Sequence, residues 1–153
     1  MSRLSATLSE LKRERRKALS LFLTAGYPTL ESTPSLALAL EEAGADVLEI
    51  GIPFSDPIAD GPTIQMSSEQ ARRNGATLLK TFAMVEEIRR RSAMAIVLMG
   101  YANPVFAFGL ERFVGACADL GVDGAIIPDL PLEESGAYRA IARERKVSSI
   151  FLV

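Results

Sequence analysis

Apolar positions fall in short unbroken runs, and helical stripes separate them. Residues 18–25 (ALSLFLTA), 45–50, 93–99 (AMAIVLM), 122–127 and 148–153 each read as a strand. Runs apolar at nearly every position mark strands buried on both faces, as in a parallel sheet. Between them the spacing changes to that of helices. Residues 2–16 place Leu4, Leu8 and Leu11 at helical intervals, and residues 29–43 take Leu36, Leu38, Ala39, Leu40 and Ala43 as their apolar face before Gly44 stops the helix. Residues 63–74 form a polar-faced helix ended by Gly75, and residues 77–92 carry the stripe Leu78, Phe82, Val85 and Ile88. Residues 109–120 end at Gly121, and residues 132–145 hold Glu133 and Glu134 in the first turn, where acids suit the helix dipole. Strand and helix alternate four times before a fifth strand. The units share no repeated signature, which excludes a solenoid. Two parallel architectures remain, a doubly wound open sheet and a (β/α)8 barrel.

The distribution of special residues favours the barrel. No Gly-x-Gly-x-x-Gly follows the first strand, which weakens a dinucleotide-binding reading. Polar and conformationally special residues instead gather beyond several strands: Gly26-Tyr27-Pro28, Glu49 to Asp60, Tyr101 to Pro104, and Pro128-Asp129. A site assembled from several strand ends is barrel behaviour, and a barrel takes about 250 residues. At 153 residues the chain is expected to be a single incomplete barrel domain, residues 1–153, covering roughly the first five strands and four helical layers.

Composition narrows the function. A chain 48% hydrophobic with mean hydropathy +0.19 is globular. A net charge of −2 argues against nucleic acid or an anionic membrane as partner. The basic run from Lys12 to Lys17 reads as a solvated helix end rather than a nucleic-acid arm. Cys117 is the only cysteine, so no intrachain disulfide forms, and the absence of a signal peptide fits a cytoplasmic location. Among Val114, Ala116 and Ala118 it reads as a packed small hydrophobe. No apolar run approaches the ~20 residues of a membrane span. Histidine is absent, so no metal site is expected, and acid–base chemistry falls to carboxylates, Tyr, Lys or the thiol.

The densest candidate chemistry lies at residues 48–62, LEIGIPFSDPIADGP. Glu49 stands near the carboxyl end of an apolar strand, where lost hydration raises a carboxylate's pKa. Asp56 and Asp60 lie on the loop that follows, which Ile52, Phe54 and Ile58 make too apolar for a solvated linker. A strand-end carboxylate and a loop carboxylate make a candidate acid–base pair; the bland alternative is a paired core Glu and turn-capping aspartates. Tyr101 either hydrogen-bonds in the site or packs. Asp129 is expected to cap the helix that starts at Leu132.

Residues 48–61 closely resemble the signature of the tryptophan synthase alpha-subunit family, Leu-Glu-x-Gly-x-Pro-Phe-Ser-Asp-Pro-x-Ala-Asp-Gly. Further matches are the basic first helix, residues 22–28, 42–46, 61–65, 101–104, 121–124 and 128–135, so the resemblance covers almost the whole chain. It implies a (β/α)8 TIM barrel that cleaves indole-3-glycerol phosphate by retro-aldol chemistry into indole and glyceraldehyde 3-phosphate. By that resemblance Glu49 is the proton donor to indole C3, and Asp60 binds the indole N–H and stabilises the positive indolenine. Phe22, Met99, Ile126 and Leu152 lie where the family lines its indole pocket, with Tyr101 beside them. Pro53, Asp56, Asn103, Pro104 and Phe108 lie where the alpha subunit meets a beta subunit in a tetramer of two alpha and two beta chains. No cofactor is expected in this subunit, since the beta subunit carries pyridoxal phosphate. The family's lid, its phosphate grip and a catalytic-site tyrosine lie beyond Val153, so residues 1–153 alone are expected to be inactive. The rival readings are a non-catalytic fragment keeping only the beta-facing loops, and another phosphate-sugar barrel lyase, against which the Pro53–Pro57 loop argues.

Overall fold

The computed structural model describes residues 2–152. The elements run α1 (Arg3–Arg13), β1 (Ser20–Thr24), α2 (Ser32–Glu42), β2 (Val47–Gly51), α3 (Pro62–Arg73), α4 (Leu78–Arg89), β3 (Ala95–Met99), α5 (Ala102–Phe108), α6 (Leu110–Asp119), β4 (Gly124–Ile126), α7 (Gly136–Glu144) and β5 (Ser148–Ile150). All strand pairs are parallel, and the sheet order is β1-β2-β3-β4-β5. Sequential order decides between the two architectures: a doubly wound sheet reverses direction at a switch point, whereas a barrel adds each new strand to the same edge.

The register sorts the strand residues into inward layers. Ser20, Val47 and Ala95 form the first. Phe22, Glu49, Val97, Gly124 and Ser148 form the second, and Thr24, Gly51, Met99, Ile126 and Ile150 the third, at the carboxyl ends. The alternate positions, Leu48, Ile50, Ile96, Leu98 and Ala125, are buried outward among Phe82, Val85 and Ile88 of α4, Phe113 and Val114 of α6, and Tyr138 of α7. Tyr138 secures its buried hydroxyl by donating to the Ala125 carbonyl at 3.0 Å. Cys117 is fully buried in this layer, and burial pushes its thiol up to about 12, so it stays a packed hydrophobe.

The amino-terminal end of the sheet is sewn together by Asp123, 3% exposed. Its carboxylate accepts from the backbone of Arg3 at 2.9 Å, the backbone of Ile96 at 3.0 Å and the Arg89 guanidinium at 3.0 Å. Arg89 also donates to the Gly121 carbonyl. This seats α1 beneath the inner face, where Leu4 packs with Val47, Ala95 and Val97.

Four expected elements are redrawn. Helix α1 ends at Arg13 because Arg15 turns left-handed at φ 57°, and Arg16 then pairs with Glu14 at 3.3 Å and Asp46 at 3.8 Å. Of the run's cations, Arg13 and Arg16 pair within the chain, and the whole run is exposed, as a solvated helix end should be. Residues 101–104 were expected only as a polar strand end, yet α5 begins at Ala102, with Pro104 in the first turn, where a missing N–H costs nothing. Helix α7 starts at Gly136 rather than Leu132, so Glu133 and Glu134 lie in a preceding turn that Ser135 closes by donating to the Leu132 carbonyl at 2.7 Å. Strand β5 ends at Ile150, and Val153 of its expected span lies outside the described residues. No helix among the described residues is long and apolar enough to cross a membrane.

Candidate active site

The carboxyl ends of β1, β2 and β3 enclose a narrow slot. Phe22 and Met99 supply its apolar walls, Pro53 and Ile64 its mouth, and Asp60 and Tyr101 its polar end. Gly51 is required here: a Cβ at this position would strike the Phe22 ring, which lies across β2. Gly100 serves likewise, since its Cβ would meet Ile52 at 2.8 Å. Main-chain pairing continues past the strands, with Ile52 N–H donating to the Met99 carbonyl at 2.7 Å, so the loop leaves β2 on a fixed path.

Tyr101 organises that loop. It is 3% exposed; its ring stacks on Phe54 with centroids 5.4 Å apart, and its hydroxyl accepts from the Ala59 backbone at 3.0 Å. The same hydroxyl has one proton to give and stands near the Asp60 carboxylate, whose pKa it lowers. Ser68 on α3 grips the other end of the loop, accepting from Phe54 N–H at 3.0 Å and donating to the Phe54 carbonyl at 3.2 Å. Phe54 is thus held half-buried against Tyr101, in keeping with a loop too apolar for a solvated linker. Tyr101 both hydrogen-bonds and packs, which settles the two readings left open for it. Asp129 does not cap α7. It accepts from the Ala102 backbone at 2.8 Å and so caps α5, fixing Tyr101 just before that helix.

Electrostatics distinguish the polar pair. Burial pushes the Asp60 carboxyl above its ordinary value, and the Tyr101 hydrogen bond opposes that push. Burial, with the charges of Asp60 and Asp129 nearby, raises the Tyr101 phenol to about 12, so it remains a donor through neutral pH. Glu49 lies on the inward face of β2 between Phe22 and Val97. Its carboxylate does not reach the slot; it accepts from the Ser20 hydroxyl at 2.8 Å.

The remaining candidates divide. Phe22, Met99, Tyr101 and Asp60 come together in the slot, and Ile126 is buried beside Met99 in the third layer. Leu152 is 62% exposed and lines a different hollow, with Phe151 and residues 127–132. Asp56 and Asn103 are exposed on the carboxyl-end rim, Asp56 accepting from Ser55 at 2.5 Å, and Pro104 is half-buried. Phe108 packs inward, 5.9 Å from Phe82 and beneath the Arg112 guanidinium. The apolar residues that face solvent on this rim are Ile58, 81% exposed, and Phe106, 51% exposed. Sequence reasoning also missed Ser20, Ser68 and Ile64. Ser20 was within reach, since it alternates onto the same face as Phe22.

A parallel sheet in sequential order, with an apolar slot and a carboxylate gathered from three successive strand ends, defines a (β/α)8-barrel of the kind that works at its carboxyl face. The family model described as "Tryptophan synthase alpha chain" matches residues 8–153. The tryptophan synthase alpha chain of Geotalea daltonii is 51% identical over all of this chain and 58% of its own length, and that of Geobacter sulfurreducens is 50% identical over the same shares. Among solved structures, tryptophan synthase subunit alpha from Legionella pneumophila superposes with a TM-score of 0.98 at 40% identity, over all of this chain and 59% of that one. A chain of the tryptophan synthase complex from Pyrococcus furiosus gives 0.86 at 45% identity, over 89% of this chain and 56% of that one. The chain belongs to the tryptophan synthase alpha chain family, and it spans about 58% of the length of the curated relatives it matches.

Proposed function

We propose that this chain supplies the indole side of an active site that cleaves indole-3-glycerol phosphate into indole and glyceraldehyde 3-phosphate. The observation that carries the reading is the slot itself. Its walls, Phe22 and Met99, are apolar, and one carboxylate, Asp60, stands at its polar end. Retro-aldol cleavage needs a proton at ring carbon C3 and a counter-charge near the ring nitrogen. Protonation at C3 places positive charge on the nitrogen. The bond from C3 to the glycerol carbon then breaks, its electrons restore the ring, and the glycerol hydroxyl loses its proton to become the aldehyde. An ionised Asp60 accepts the ring N–H and stabilises the charge as it develops. Glu49 is the proton donor, one layer below the slot on the same inward face. Ile126 extends the apolar wall beside Met99.

The exposed rim is the surface for a beta subunit. Asp56 and Ile58, on the loop after β2, and Asn103 and Phe106, on α5, are presented there and held from behind by Tyr101, Ser68 and Asp129. No cofactor is needed on this side of the reaction; pyridoxal phosphate belongs to the partner, and the assembly is cytoplasmic. The test uses a full-length barrel in which residues 1–153 are joined to the C-terminal part of the Geotalea daltonii relative. Glu49→Gln is expected to lower indole release by about 10²–10⁴-fold with the fold intact. Asp60→Asn, which keeps an acceptor but loses the charge, is expected to lose turnover while still binding substrate. Near-parental turnover in either variant overturns the assigned role.

A further inference from the structure

The Glu49 carboxylate points away from the place where the proton is needed. Its partner, Ser20, pairs in register with Val47, two residues before Glu49 on β2. Two strand residues are about 7 Å, so the side chain leans towards the amino-terminal end of the sheet while Asp60 and the slot lie beyond the carboxyl end. Its lateral neighbours, Phe22 and Val97, carry no polar side-chain atom, and the next inward positions are Gly124 and Ser148. Among the described residues the Ser20 hydroxyl is the group that holds the carboxylate in this position.

We propose that Ser20 is a positioning residue that keeps Glu49 in a withdrawn resting position, so that each turnover begins by breaking the Ser20–Glu49 hydrogen bond. The inference rests on the reading of Glu49 as proton donor. A catalytic group competent only in a minor position lowers the observed rate by its fractional population. A hydrogen bond from a hydroxyl to a carboxylate favours the withdrawn position, and its removal releases the side chain to rotate towards the slot.

The experiment uses the same full-length barrel with its beta subunit, measuring indole release against substrate concentration for Ser20→Ala and Ser20→Thr. Crystal structures of the parent and Ser20→Ala accompany the kinetics. Removing the hydroxyl is expected to raise kcat about threefold to tenfold and to leave KM within about twofold. Ser20→Thr, which keeps the hydroxyl on a side chain suited to a strand, is expected to restore parental kcat. In the Ser20→Ala crystal the carboxylate is expected to have left position 20 and turned towards Asp60. An unchanged or lowered kcat in Ser20→Ala overturns the inference, as does a carboxylate that stays in place without the hydroxyl. Glu49→Gln in the same preparation separates the two readings. If that variant is inactive and Ser20→Ala matches the parent, only the Ser20 inference falls. If Glu49→Gln turns over normally, the proton-donor reading falls and takes the inference with it.

Discussion

Tyr101→Phe removes one oxygen and leaves everything else in the slot in place. The ring still stacks on Phe54, so the packing of the loop survives. One hydrogen bond is lost, the one accepted from the Ala59 backbone at 3.0 Å, and with it the polar influence of the hydroxyl that lowers the Asp60 pKa. A neutral hydrogen bond contributes about 1 kcal/mol and one to a charged group about 1.5–3 kcal/mol. The half-buried rim lets water recover part of both, leaving a cost of roughly 1.5–3 kcal/mol in holding an ionised Asp60 where the ring nitrogen needs it. At 1.36 kcal/mol per decade, kcat/KM is expected to fall about tenfold to a hundredfold.

The pH dependence carries a sign. Burial raises the Asp60 carboxyl, and the Tyr101 hydrogen bond lowers it. Without the hydroxyl the upward push is unopposed, so the carboxylate takes up its proton at a higher pH. Activity requires the ionised form, so the acid limb of the kcat/KM profile is expected to move to higher pH in Tyr101→Phe. Steady-state indole release from the full-length barrel between pH 5 and pH 9 measures both effects. A variant within twofold of the parent, with its acid limb unmoved, refutes the argument that Tyr101 sets the charge and position of Asp60.

Asp123→Ala removes a carboxylate with three hydrogen-bond donors and leaves the Arg89 guanidinium, whose side chain is 11% exposed, with carbonyl partners only. Breaking a buried pair from one side costs about 3–5 kcal/mol, read by urea unfolding of the full-length barrel, and a loss below about 1 kcal/mol contradicts the role assigned to this network. Asp56→Ala on the exposed rim is expected to weaken beta-subunit binding in calorimetric titration while far-ultraviolet dichroism stays parental; unaltered affinity and beta-reaction rate remove Asp56 from the interface.

Much of the fold could be read from the chain because its signals are local and agree with one another. Five apolar runs located every strand, and Gly44, Gly75 and Gly121 each end a helical turn at positive φ. Helix α5 was not legible, because Tyr101-Ala102-Asn103-Pro104 carries the residues of a turn. What makes it a helix is Asp129, 27 positions away, which caps Ala102. The same fact misled the reading of Asp129 itself. A capping residue close in sequence to one helix is drawn to another once parallel strands bring two loops side by side.

The site shows the same boundary between local and non-local information. That Glu49, Asp60, Phe22 and Met99 share one region follows from the motif and from alternation along strands. Where their polar atoms point does not, because direction depends on register between strands. Had β1 paired with β2 one residue out of step, Leu21 rather than Phe22 would lie beside Glu49, and Ser20 would not share its face. The observed register instead sets Ser20 a layer beneath Glu49 and Phe22 across Gly51, so one strand pairing closes the wall of the slot and withdraws the carboxylate from it. Tyr101 fixes the loop beside Asp60 from above, through a bond from the Ala59 backbone that spans 42 residues. The two carboxylates of one short motif are therefore governed from opposite ends of the sheet. Asp60 is half-buried at the polar end of the slot, and Glu49 is held back on the inner face, so the separation of their roles comes from their partners and not from their own positions in the sequence.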